Sequence, residues 1–98
     1  MKDLTLSLLA DYYGGLLPDK QRDMVELYYG RDLSLSEIAG LCGITRQGVK
    51  DGLDKAAAFL QTCEAALGLA ARRAEAERLL ASGAKPEELL KLFLPEGK

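Results

Sequence analysis

Histidine is absent from this chain, and cysteine is limited to Cys42 and Cys63, which are not in a Cys-x-x-Cys spacing. A zinc site has too few ligands to form. A cysteine nucleophile would lack the imidazole that raises its thiolate fraction, so both cysteines are expected as small hydrophobes turned inward on helices. Long apolar runs are missing too: Ala56 to Leu60 and Leu67 to Ala71 fall far below the roughly 20 residues of a membrane span. Met1-Lys2-Asp3 leads into no apolar stretch with a cleavage site, so no secretory signal is read and the cytoplasm is the expected address. There is no Walker-type glycine loop, no metal-ligand cluster and no nucleophile–base pair. The carboxylates lie at helix-surface spacings beside Lys and Arg, which reads as solvated helix faces, and a non-enzymatic function without cofactor or metal is expected.

An excess of positive charge is lacking as well. The net charge is −2, with four basic against seven acidic residues in 1–43 and nine against eight in the remainder. No dense basic stripe emerges, which is unusual for a protein whose affinity would rest on neutralising phosphates.

What is present is apolar material in helical order. The chain is 98 residues, 48% hydrophobic and 29% charged, the size and balance of one globular domain. Leu4, Leu8, Leu9, Tyr12 and Tyr13 give a first helix that ends at Gly14-Gly15. Pro18 suits the first position of a second helix, with Asp19 at its positive dipole end. Its inward stripe is Met24, Val25, Leu27 and Tyr28, and Gly30 closes it with a positive φ. One tyrosine of each pair, Tyr12/Tyr13 and Tyr28/Tyr29, is expected in the core.

Ser34-Leu35-Ser36-Glu37 is a capping box that starts a short third helix, with Leu35, Ile38, Ala39, Leu41 and Cys42 inward and Gly43 as its left-handed stop. Thr45 caps a fourth helix of about twenty residues, with apolar positions Val49, Leu53, Ala56, Ala57, Leu60 and Leu67. A joint is placed at Gly68, followed by a helix over 69–81 that stops at Ser82-Gly83. Pro86 opens a last short helix through Leu89, Leu90, Leu92, Phe93 and Leu94. Pro95-Glu96-Gly97-Lys98 reads as a frayed end. No strand pattern competes, and there is no internal repeat.

Residues 34–53 carry the layout of a helix-turn-helix. Two helices crossing steeply need a small residue at closest approach, Ala39, and a turn residue tolerant of positive φ, Gly43. Ile44 and Val49 then fill the angle. The second helix would present Thr45, Arg46, Gln47 and Lys50 to a major groove: Arg46 suits guanine, Gln47 adenine, and Thr45 or Lys50 a phosphate. Against this stand Asp51 and Asp54, which repel phosphate, and Gly48 and Gly52, which permit either a partner's close approach or tight packing within the chain. The same caps and turn also fit a protein-binding αα-hairpin.

Leu16-Leu17-Pro18-Asp19-Lys20-Gln21-Arg22, Leu27-Tyr28-Tyr29, Leu33 to Ala39 and Gly43 to Val49, in that order, resemble the YlxM family over roughly residues 5–68. That family is similar to region 4 of bacterial sigma factors. With the helices read above, the fold expected is an all-α helix-turn-helix bundle, sigma region 4-like by this resemblance, with a long fourth helix and a C-terminal helical extension, divided as 1–68 and 69–98. It also implies a regulator linked to the signal recognition particle, with no enzymatic role. The expected partners are DNA or the particle's RNA, or else the particle GTPase, with no membrane. The extension is expected to close the chain's own core or to pair two copies as a homodimer. Pro18, Gly48, Lys50 and Gly52 depart from the family's usual residues; Arg46 and Gln47 match.

Overall fold

In a computed structural model, which describes residues 2–94, the chain folds entirely into helices and turns among the described residues. Asp3 accepts the Thr5 amide at 2.8 Å and so starts α1, Leu4–Tyr13, which runs on as a 3₁₀ turn over Gly14–Leu16. Pro18 stands one residue outside α2, Asp19–Val25, rather than at its first position; its ψ of 148° is extended, and Asp19 opens the helix. Next come α3, Leu35–Cys42, and α4, Arg46–Leu67. Beyond them lie α5, Leu69–Ala81, and α6, Pro86–Leu90, with a closing 3₁₀ turn over Lys91–Phe93. The expected frayed end at 95–98 lies outside the described residues.

The end of α2 differs from the sequence-based expectation. Instead of stopping at a left-handed Gly30, it widens into a π turn over Glu26–Gly30, with the Arg31 amide donating to Glu26 at 3.0 Å and Leu33 to Leu27 at 3.0 Å. The wider turn delays the reversal, and the positive φ falls on Asp32, at 57°. An aspartate tolerates that conformation better than most side chains. Lys2 holds this end in place: its Nζ donates to the carbonyls of Tyr28 at 2.6 Å and Leu33 at 2.7 Å, pairs with Asp32 at 3.1 Å, and lies 3.9 Å from the Tyr28 ring centroid. Carbonyls that a helix end leaves without partners are thus supplied by a side chain that precedes α1.

The core consists of Leu9, Tyr13, Leu17, Val25, Ile38, Val49, Leu53, Ala56 and Leu60. Val49, Leu53, Ala56 and Leu60 recur at four- and three-residue steps, so one face of α4 is the wall on which α1, α2 and α3 pack. Tyr13 is the core member of its pair, whereas Tyr28 and Tyr29 are both half-buried and meet edge to face at 5.0 Å. Leu41 and Cys42, expected inward, are exposed, and Leu41 is 69% exposed. They occupy the right helical phase, but α3 ends there, and the neighbouring side chains from α2 and its π turn form only a shallow depression beside them. Cys63 is half-buried against the core.

Gly68 does break the helix, at φ 64°. The joint is built by a side-chain relay. The Tyr13 hydroxyl donates to Glu64 at 2.6 Å and accepts the Leu69 amide at 2.9 Å, while the Glu64 carboxylate accepts the amides of Ala70 and Ala71, each at 3.1 Å. Three amides at the start of α5, which have no partner within that helix, are therefore satisfied by residues from α1 and α4. Arg72 ties the far side, donating through Nε to the Leu92 carbonyl at 2.7 Å and through Nη1 to the Leu67 carbonyl. None of α5, α6 or the last turn contains a buried residue. The radius of gyration is 16.8 Å, against about 13 Å for a compact chain of this length, so the C-terminal helices extend the molecule rather than thicken it.

Candidate nucleic-acid interface

The helix-turn-helix forms from local chemistry. Ser34 Oγ accepts the Glu37 amide at 3.1 Å, and the Glu37 carboxylate accepts the Ser34 amide at 3.0 Å, which holds the Glu37 carboxyl below the usual carboxylate range. Two turns later Gly43 adopts φ 68° and ψ 31°. The Ala39 carbonyl accepts the amides of both Gly43 and Ile44, the latter at 3.2 Å, closing α3 and setting the direction of α4. Thr45 then accepts the Gly48 amide at 3.0 Å and begins α4. Ile38 and Val49, both fully buried, fill the angle between the two helices, whereas Ile44, expected beside Val49, remains 42% exposed on the outside of the turn.

A Cβ added at Gly43 would meet nothing within 4 Å, so its role is purely conformational. Gly43→Ala is expected to cost about 1–2 kcal/mol from the left-handed backbone alone, read as a lower urea midpoint with an unchanged slope. Gly52 has a different role. A Cβ there would lie 2.8 Å from Met24 Sδ, so this glycine leaves room for the end of the Met24 side chain of α2 against α4. Of the two readings open for Gly52, packing within the chain is the one observed.

Thr45, Arg46, Gln47 and Lys50 are all exposed on the first turns of α4. Arg46, Gln47 and Lys50 line one shallow depression together with Leu35, which is half-buried and walls it from α3. Sequence reasoning placed Leu35 inward; its second role as a neighbour of the three polar residues follows from the angle between α3 and α4. Arg46 makes no ion pair among the described residues. Gln47 and Lys50 are engaged: Gln47 Nε2 donates to Asp51 at 2.9 Å and Lys50 Nζ to Asp54 at 2.9 Å. The Asp54 hydrogen bond, reinforced by the charges of Asp54 and Asp51, raises the Lys50 pKa above the ordinary lysine value. Among the described residues no cluster of three or more His, Cys, Asp or Glu could hold a metal, and no helix is long and apolar enough to cross a membrane.

A capping-box helix, a left-handed glycine and a second capped helix whose first turn stands in solvent define a helix-turn-helix protein. The chain belongs to the UPF0122 family, whose model, described as "Putative helix-turn-helix protein, YlxM / p13 like", matches residues 1–91. It is similar to a UPF0122 protein of Thermoanaerobacter sp. (strain X514), 50% identical over 72 residues, which are 74% of this chain and 62% of the relative. A UPF0122 protein of Desulforamulus reducens is 45% identical over 75 residues, 76% of this chain and 64% of the relative. One of Staphylococcus epidermidis (strain ATCC 35984) is 34% identical over 99 residues, covering 98% of this chain and 90% of the relative. The chain thus spans less than two thirds of the length of the first two of these relatives.

Proposed function

We propose that this protein is a nucleic-acid-binding regulator that inserts the first turn of α4 into the major groove of duplex DNA. Arg46 reads guanine, Gln47 reads adenine, and Thr45 or Lys50 contacts the phosphate backbone. One observation carries the reading: Arg46, Gln47 and Lys50 stand together in solvent at the start of a helix whose opposite face is anchored in the core. In this scheme residues 1–68 form the DNA-binding domain, arranged like sigma region 4, and 69–98 an extension that pairs two copies on a two-fold site. The link to the signal recognition particle rests on the YlxM resemblance alone.

The test is a duplex-binding titration over a salt series. With three or four phosphates neutralised per protomer, affinity falls by about three decades per decade of salt, and Arg46→Ala weakens binding to a guanine-containing duplex by about 1–3 kcal/mol. Salt-independent binding, or an Arg46→Ala variant identical to wild type, overturns the reading. Titration against the particle's RNA in the same series distinguishes the two nucleic acids.

A second reading, a protein-interaction module acting on the particle GTPase, is favoured by the apolar surface of the extension. Leu80, Leu90, Phe93 and Leu94 are each 59% or more exposed. Recovery of purified GTPase at high salt without RNA supports it. Sedimentation of the protein alone distinguishes a hetero-partner from a second copy on that surface.

A further inference from the structure

Gln47, Lys50, Asp51 and Asp54 lie at positions i, i+3, i+4 and i+7 of α4, along one stripe of its surface. Two of the donors proposed to meet DNA, Gln47 and Lys50, are already bonded to a carboxylate one turn further along, each at 2.9 Å. The pairs are exposed, with Lys50 and Asp54 side chains 57% and 65% accessible, so water and salt weaken them and a strong competing acceptor can break them. We propose that Asp51 and Asp54 form a built-in electrostatic screen on the reading helix, which weakens the grip of Lys50 on any phosphate and holds Gln47 back until an adenine edge replaces the bond it makes to Asp51. The inference rests on the DNA-binding reading above.

The chemistry runs as follows. Lys50 paired to Asp54 presents little net charge to a phosphate, so it releases few counterions on a random sequence. Gln47 reads adenine by donating its amide N–H to N7 while its carbonyl accepts from N6. Asp51 holds one N–H of that amide and turns the side chain along the helix, so Gln47 must swing off it to lay both halves on an adenine edge. A complex that lays Gln47 on a base gives up the Asp51 bond, and only an adenine edge makes two in return, whereas the phosphate contact of Lys50 is alike on every sequence; the carboxylates therefore lower affinity generally, and Asp51 adds discrimination at adenine. Arg46, without such a carboxylate partner among the described residues, remains available to make the first contact.

The experiment compares wild type with the Asp51→Asn/Asp54→Asn double variant on a 30-base-pair duplex of mixed sequence over a salt series. The charge-matched control is Asp11→Asn/Asp23→Asn. Those residues are exposed carboxylates of α1 and α2, outside the reading helix and outside the extension. The double variant is expected to bind roughly tenfold tighter at low salt, with a slope steeper by about 0.9 for the phosphate that a freed Lys50 neutralises. The control should stay within about twofold of wild type. Asp54→Asn alone, with helix content checked by circular dichroism, isolates the Lys50 share and guards against a folding defect in the double variant. If wild type binds and Arg46→Ala weakens it, but the double variant merely tracks the control, the screen is wrong and the DNA reading stands. If neither wild type nor the double variant binds any duplex, both fall.

Discussion

Ile38→Ala should be severely destabilising, lowering the free energy of unfolding by about 2–5 kcal/mol, and urea denaturation followed by circular dichroism would measure it. Ile38 is fully buried where α3 meets α4, so truncation both removes its transfer free energy and leaves a cavity. The neighbours are poorly placed to collapse into that space. Val49 is β-branched and itself fully buried, and the backbone on either side is fixed by the Ser34 capping box and the left-handed Gly43. A domain of this size has a total stability of about 5–15 kcal/mol, so the variant would approach the point at which the helix-turn-helix is unfolded at 37 °C. Leu41→Ala is the paired measurement. Leu41 has nearly the same volume, sits on the same helix three residues later and is 69% exposed, so its truncation should stay within about 0.5 kcal/mol of wild type. Equal losses at the two positions would mean that the end of α3 is covered in solution.

That contrast marks the limit of what periodicity conveys. Helical phase identifies which side of α3 would face inward, and Ile38 obeys it; whether another element reaches far enough to cover Leu41 and Cys42 depends on where α2 ends and how its π turn spreads, which residues 35–42 do not encode. The features legible in the sequence are those whose partners lie within one helical turn. Ser34 and Glu37, Gly43, Thr45 and Gly48, the break at Gly68, and Pro86 at the first position of α6 are all of this kind. Asp3 and Thr5 belong with them, and the pairs Gln47–Asp51 and Lys50–Asp54 could have been found from the four-residue spacing. The exposed first turn of α4 was therefore readable almost entirely. The features that escaped join distant parts of the chain: Lys2 with Tyr28 and Leu33, Met24 with Gly52, and Tyr13 with Glu64. Gly30 illustrates a related failure. A glycine after an apolar run signals a left-handed stop, but here a π turn shifts the reversal two residues on, to Asp32.

The Tyr13–Glu64 relay predicts how the extension is held. Glu64→Ala removes the acceptor of two α5 amides and of the Tyr13 hydroxyl, and Tyr13→Phe removes the acceptor of the Leu69 amide while keeping the ring. Because α5 buries no residue of its own, these bonds, the Arg72 contacts and packing on α1 are what orient it. Glu64→Ala should accelerate hydrogen exchange of the Leu69, Ala70 and Ala71 amides by roughly tenfold or more and enlarge the radius of gyration measured by X-ray scattering, while leaving exchange at Ile38 and Val49 unchanged. Tyr13→Phe should accelerate Leu69 most. The wild-type joint should also be sensitive to pH, in a direction that follows from its chemistry. The Tyr13 bond, with help from the Ala70 and Ala71 amides and the Arg72 charge, holds the Glu64 carboxyl below its ordinary value of 4.5. Its contribution is therefore complete above that value and is lost as pH falls through the depressed one. Burial, and then the bond to Glu64, raises the Tyr13 hydroxyl above its ordinary 10.0, so its share is complete below 10.0 and is lost at higher, alkaline pH. Between those limits protection of the three amides should be flat; a transition near neutrality would mean that groups other than Tyr13 and Glu64 hold the joint.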